Sequence, residues 1–137
     1  MIEEEKERLL QAKHDVSARL SSIDFSQYGL QHVDYRIDLY VHEVALHPNA
    51  HNLWEQLAVE RFLKMVRRYG LNRREVKRFF TFYELLYFPG KEGMRHYRLT
   101  PVQCFQFASV YGFWAGQRRV VREVCLFVPR KFSKTTS

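Results

Sequence analysis

Apolar residues along this chain recur mostly three and four apart, the period of a helix, and run together only toward the carboxyl end. In residues 2–22, Leu9, Leu10, Ala12, Val16 and Leu20 stand among charges, with glutamates crowding the first turn. Carboxylates suit the positive end of a helix dipole, so this stretch predicts a peripheral helix. Residues 21–29 carry turn chemistry and read as a linker. From Tyr35 to Leu46 the period returns, with Tyr35, Leu39, His42 and Leu46 on one face, and Pro48-Asn49 stops it. Between Asn52 and Tyr69, Trp54, Leu57, Ala58, Phe62, Met65, Val66 and Tyr69 fall at offsets 0, 3, 4, 8, 11, 12 and 15, the spacing of a buried helix face. Gly70 then suits the position just past a helix and Asn72 can cap the next one. Val76, Phe79, Phe80, Tyr83, Leu86 and Tyr87 carry that next helix on until Phe88-Pro89-Gly90.

Pro89 to Arg98 is polar and reads as a connection. Thr100-Pro101 sets a capping hydroxyl before a proline at the first helical position, and the helix it opens, to about Tyr111, can turn Cys104, Phe105, Ala108 and Tyr111 inward. Past Gly112 and Gly116 the pattern changes. Val120 to Val128 is β-branched and aromatic, apolar on both parities near its end, and is the one convincing strand. The fold class expected is a mainly α-helical fragment with one or few strands.

Composition adds limits. The chain has 137 residues, room for one domain, and at 46% hydrophobic and 15% aromatic it is far from the make-up of disordered chains. No apolar run approaches the ~20 residues of a membrane span, and the acidic start is unlike a secretory signal. Cys104 and Cys125 lack metal-ligand spacing and the density of a disulfide scaffold, and read as two small buried thiols in a reducing cytosol.

The net charge of +7 conceals a division. Residues 1–60 hold 5 Lys/Arg against 11 Asp/Glu, a net −6, and residues 61–137 hold 17 against 4, a net +13. A basic half of that size points to phosphate-bearing partners, although many basic surfaces only solubilise. Arg67, Arg68, Arg73, Arg74, Lys77 and Arg78 cluster at one helix–helix turn, where they are candidates for DNA phosphates and equally the solvated face of a helix pair. His47 and His51 stand four apart but Pro48 lies between them, against a helical metal pair. Phe79, Phe80, Phe82, Tyr83, Tyr87 and Phe88 fit a helix core better than a row of stacked bases.

The strand runs into Val128-Pro129-Arg130-Lys131-Phe132-Ser133-Lys134-Thr135. In a phosphate-binding loop, G-x-x-x-x-G-K-[ST], a buried strand leads to a turn whose N–H groups surround phosphates, the lysine reaches the terminal phosphates, and the hydroxyl holds Mg²⁺. Lys134 and Thr135 match; Val128 and Ser133 stand in the glycine positions.

Four motifs in series are more specific than that loop. Tyr97-Arg98-Leu99-Thr100-Pro101-Val102-Gln103 comes first, then Val110-Tyr111-Gly112-Phe113-Trp114, then Arg118-Arg119-Val120-Val121-Arg122-Glu123-Val124, and finally the lysine loop. Together they resemble the start of the ATPase domain of tailed-phage terminase large subunits, whose deviant Walker A motif reads Pro-Arg-Lys-Asn-Gly-Lys-Ser/Thr. Tyr40-Val41 and Glu60-Arg61-Phe62-Leu63 resemble the helical region ahead of it, so the likeness covers residues 35–137.

The resemblance implies a division into a peripheral helix and linker (1–30), a helical region (31–96), and the front end of a P-loop NTPase α/β domain (97–137). It implies ATP and Mg²⁺ as cofactors, with Lys134 on the β- and γ-phosphates, Thr135 on the metal, and Pro129, Lys131 and Ser133 completing the loop. Gln103 matches the glutamine that reads the adenine edge, a task suited to an amide, and is otherwise an ordinary capping or surface residue. Arg130 matches an arginine that stabilises charge on the transferred phosphoryl group, or serves only to steer phosphates. Ser133 and Phe132 depart from the family's Gly and Asn, and Val102 from its usual Trp. The implied partners are double-stranded viral DNA, the small terminase subunit and the portal protein, in a ring formed only by the full-length protein, within the host cell's cytoplasm and with no membrane. The family's acidic metal partner and water-activating carboxylate are expected beyond Ser137, which leaves these 137 residues inactive alone. The rival expectation is a stand-alone helical module that binds nucleic acid or protein without catalysis.

Overall fold

The computed structural model describes residues 2–90, 93–96 and 98–121. Six helices make up most of it: α1 (Ile2–Ser21), α2 (Leu30–Val33), α3 (Tyr35–Leu46), α4 (Leu53–Tyr69), α5 (Arg73–Glu84) and α6 (Pro101–Tyr111). Short 3₁₀ turns fill Phe25–Tyr28 and Pro48–Ala50. Two antiparallel hairpins complete the described chain, β1 (Tyr87–Gly90) with β2 (Gly93–His96) and β3 (Trp114–Ala115) with β4 (Arg118–Arg119). The described residues adopt the expected mainly helical class.

Helix starts follow side-chain chemistry. Asp34, Asn52, Asn72 and Thr100 each accept a backbone N–H from the first turn of α3, α4, α5 and α6 respectively, meeting donors that the helix itself leaves orphaned. The core forms around α3 and α6, with α1 and α4 on one flank and α5 on the other. Its centre is aromatic: Phe62 of α4 lies 4.9 Å from Phe105 and 5.4 Å from Phe113, and Tyr40 of α3 lies 4.8 Å from Phe105. Removing a ring packed on this many neighbours costs on the order of 3–5 kcal/mol.

Only the second half of α1 joins this core. Residues 2–12 are exposed throughout, while Val16 and Leu20 are fully buried. Arg19 reaches across to Glu60 of α4 at 2.7 Å, and Gln56 of α4 donates from Nε2 to the Ser17 hydroxyl at 2.8 Å. Gln56 is fully buried and its Oε1 has no hydrogen-bond partner.

Several expectations need correction. The α3 face expected to carry the apolar period, Tyr35, Leu39, His42 and Leu46, is not the buried one: Tyr35, Leu39 and Leu46 are more than half exposed, and Ile37, Tyr40, Val41, Val44 and Ala45 are buried instead. These five fall at offsets 0, 3, 4, 7 and 8, a fuller apolar stripe than the one it displaces. On α4, Trp54 and Ala58 face solvent, and the buried face turns toward Gln56, Val59, Phe62 and Leu63 because α1 packs there. Helix resumes at Leu30, ahead of the expected Tyr35, and α5 ends at Glu84, short of Tyr87. Tyr87 instead begins the first hairpin, most of which lies between Pro89 and Arg98, the stretch expected to be a connection. The expected strand from Val120 lies outside the described residues from Arg122 onward, as does Cys125; Cys104 is a buried free thiol that burial pushes up to about 12.

Candidate functional site

The family-like motifs that can be placed meet at the two ends of α6. At its start, Thr100 and Gln103 form a reciprocal cap: the Gln103 N–H donates to Thr100 Oγ1 at 3.4 Å, and Gln103 Oε1 accepts the Thr100 N–H at 3.0 Å. Pro101 occupies the first helical position, where its missing N–H costs nothing. Gln103 is therefore the capping residue that the alternative reading allowed, and its amide sits on the outermost turn of α6.

The chain entering α6 is clamped by an ion-pair network that the sequence does not advertise. Arg36, at the start of α3, pairs with Asp34 at 2.9 Å and with Glu84 of α5 at 3.1 Å, and donates to the Leu99 carbonyl at 3.2 Å. Glu84 in turn accepts the Leu99 N–H at 3.1 Å. The guanidinium also lies 5.6 Å from the Phe80 ring centre. Burial works against the charged Asp34 carboxylate, but hydrogen bonds from Arg36 outweigh it and hold the group below the usual carboxylate range. Hydrogen bonding to Asp34 likewise raises the Arg36 guanidinium. The only sequence signal here was an Asp-x-Arg at a helix start.

Beside that capped end lies a cavity of about 370 Å³, walled by Leu39 and Tyr40 of α3, His51 and Glu55 before and within α4, and Pro101 and Val102 of α6. His51 spans two carboxylates, Nδ1 at 2.5 Å from Glu55 and Nε2 at 3.4 Å from Glu43. Burial, with Glu55 adding to it, pushes the Tyr40 phenol up to about 12. Among the described residues no group of three or more His, Cys, Asp and Glu side chains is arranged to hold a metal ion.

At the far end of α6, Gly112 is hemmed in. A Cβ there would lie 2.4 Å from Leu71 Cδ1 and 2.6 Å from the Ala108 carbonyl oxygen, so the position requires glycine for space. Its own carbonyl accepts the Asn72 N–H at 2.8 Å, tying the end of α6 to the turn between α4 and α5. Phe113 is fully buried, and the Trp114 indole N–H donates to the Tyr111 carbonyl at 2.8 Å. Tyr111, expected inside, is half-buried, with the Arg119 guanidinium 5.1 Å from its ring centre. The second hairpin then returns the chain to the core, where Val120 donates its N–H to the Phe113 carbonyl at 2.9 Å.

The basic turn is exposed as the charge pattern suggested: Arg67, Arg68, Arg73, Arg74, Lys77 and Arg78 all face solvent. Arg67 stacks over the Tyr28 ring at 5.5 Å and Arg68 over Tyr69 at 5.3 Å, which stiffens two of the six. Pro129, Arg130, Lys131, Ser133, Lys134 and Thr135, the residues expected at phosphate and metal, lie outside the described residues. No described helix is long and apolar enough to cross a membrane. Comparison with protein-family models, with curated proteins and with solved structures finds no match to the chain.

Proposed function

We propose that the chain is the N-terminal part of a tailed-phage terminase large subunit, whose whole form hydrolyses ATP to drive viral DNA into a procapsid and then cleaves it. The observation that carries this reading is the run of four motifs from Tyr97 to Thr135 in the family's order. The architecture of residues 98–121 supports it. Gln103 lies on the first turn of α6, where an amide can reach a ligand beside the helix; Gly112 ends that helix where no side chain fits; Arg118 and Arg119 precede the apolar segment that leads to the lysine loop.

In this reading residues 97–137 open a P-loop NTPase domain, and the helices before them form its front wall. Mg-ATP supplies the phosphoanhydride whose cleavage drives translocation. Lys134 and Thr135 are the donor types such a ligand needs, a flexible ammonium for the terminal phosphates and a hydroxyl for the metal, and Pro129, Lys131 and Ser133 belong to the motif that precedes them. Arg130 offers a guanidinium to charge building up on the phosphoryl oxygens. Gln103 offers adenine an amide, the group that carries both a donor and an acceptor. Double-stranded DNA, the small terminase subunit and the portal protein are the partners, in the host bacterial cytoplasm.

The exposed arginine corner favours a second reading, a helical module that binds nucleic acid without catalysis. The reading frame past codon 137 separates the two. The packaging-motor reading expects a further apolar strand ending in carboxylates, the metal partner and water activator of the family; an immediate stop followed by an unrelated gene contradicts it.

A further inference from the structure

We infer that the cleft between α5 and the turn after α6 binds an unstacked base of single-stranded nucleic acid, in particular one bearing an amino group. The cleft, about 300 Å³, is lined by Glu75, Arg78, Phe79 and Phe82 of α5 with Tyr111 and Trp114. Its aromatic wall is set in advance. Phe79 stacks on Tyr111 with ring centres 4.2 Å apart at 18°, and Trp114 is fixed by the bond from its indole N–H to the Tyr111 carbonyl. Phe82 is 60% exposed at the mouth, an exposed ring with no described stacking partner. Phe79 and Tyr111 cover each other's faces and brace the wall, and the exposed Phe82 ring is the flat surface that takes the π-face of a base, whichever base it is.

Charge selects nucleic acid over an apolar peptide. Arg78 lines the cleft and Arg119 lies over Tyr111, while Arg74 stands one turn before Arg78 and Arg118 beside Arg119. These cations flank the rings where a phosphate chain would pass on either side of an inserted base. Glu75 is the one carboxylate in the lining; it repels phosphate but accepts a hydrogen bond from an exocyclic amino group, which favours cytosine over thymine. A duplex hides its base faces, so the cleft fits a single strand. The inference stands on this cleft alone and does not rest on the packaging-motor reading.

The test uses the chain with Trp54→Phe, so that Trp114 is the sole tryptophan reporter. A deoxycytidine oligomer of about ten nucleotides is expected to quench Trp114 emission saturably. Phe82→Ala, at a position that is largely exposed, is expected to leave the melting temperature unchanged and to weaken binding about tenfold. An abasic oligomer of the same length should bind about as weakly to the parent as the cytidine oligomer does to Phe82→Ala, and should not respond to that substitution. Arg119→Ser should lower the salt dependence for both oligomers, and a thymidine oligomer should bind several-fold more weakly than the cytidine one. An abasic oligomer that binds as tightly as the base-bearing one, thymidine binding as tight as cytidine, or saturable quenching by a proline-rich peptide with none by DNA, overturns the inference.

Discussion

Arg36 and Glu84, 48 positions apart in sequence, meet at 3.1 Å and together hold both backbone polar groups of Leu99, the residue just before the α6 cap. That single pair joins the start of α3, the end of α5 and the entry to α6. All three partners in the network, Asp34, Arg36 and Glu84, have less than a third of their side chain exposed, so the network is shielded enough to matter.

Arg36→Ala leaves two carboxylates and the Leu99 carbonyl without their donor, and is expected to destabilise the fold by about 2–4 kcal/mol, read as a lower urea midpoint. Lys in its place should recover only part of this, because a point ammonium cannot serve Asp34, Glu84 and Leu99 at once.

The same network sets a response to acid. Asp34, held low by Arg36 against the cost of burial, and Glu60, held low by the hydrogen bonds from Arg19, stabilise the folded state at pH values above the ordinary carboxylate range near 4. Their contribution is lost as pH falls through their lowered folded-state values. Melting temperature should therefore be flat near neutrality and fall below about pH 4. The fall should be shallower in Arg36→Ala, and an equal slope in the two proteins contradicts the assignment.

Gly112→Ala forces a methyl to within 2.4 Å of Leu71 and 2.6 Å of a backbone oxygen. Overpacking of this kind costs about 1–3 kcal/mol. Calorimetry should show the loss, and trimming Leu71 should restore only part of it, since the carbonyl remains.

Gln56→Met removes a buried amide whose oxygen has no partner. Filling the same space with an apolar chain is expected to raise stability by about 1 kcal/mol, a shift of a few degrees in Tm. A drop in Tm shows that the Ser17 bond outweighs the orphaned oxygen.

The arginine corner makes a separate claim. If Arg67, Arg68, Arg73 and Arg74 meet DNA phosphates, the alanine variants should weaken duplex binding and flatten its salt dependence by about one unit of slope for each phosphate left without its arginine. Unchanged affinity shows that DNA does not pass over this corner.

Much of the helical frame was legible from side-chain spacing and caps. Asn72, Thr100 and Pro101 marked helix starts because capping is local chemistry that one residue can announce. The buried face of α3 was not legible, because two apolar stripes share that helix and only its packing against the other helices, α6 foremost, chooses between them. The first hairpin was hidden in a polar stretch whose pairing spans only four positions on each strand. Gln103 was recognised as an amide worth attention, with an ordinary capping or surface role as its alternative, whereas the Arg36 clamp joins residues 34, 84 and 99 and leaves no periodic trace. Of the aromatic cleft, Phe79 and Phe82 read as core in preference to stacked bases, since nothing along the chain says that Phe82 ends at a surface.

We propose that Lys134 and Thr135 serve a nucleotide in a DNA-packaging motor. ATP hydrolysis by the polypeptide read through codon 137 and onward tests it most directly, with and without duplex DNA, in the parent and in Lys134→Ala. The account predicts DNA-stimulated hydrolysis in the parent and a loss of at least a hundredfold in the variant with its melting temperature unchanged. Hydrolysis that persists in Lys134→Ala, or a well-folded parent polypeptide with none, contradicts it.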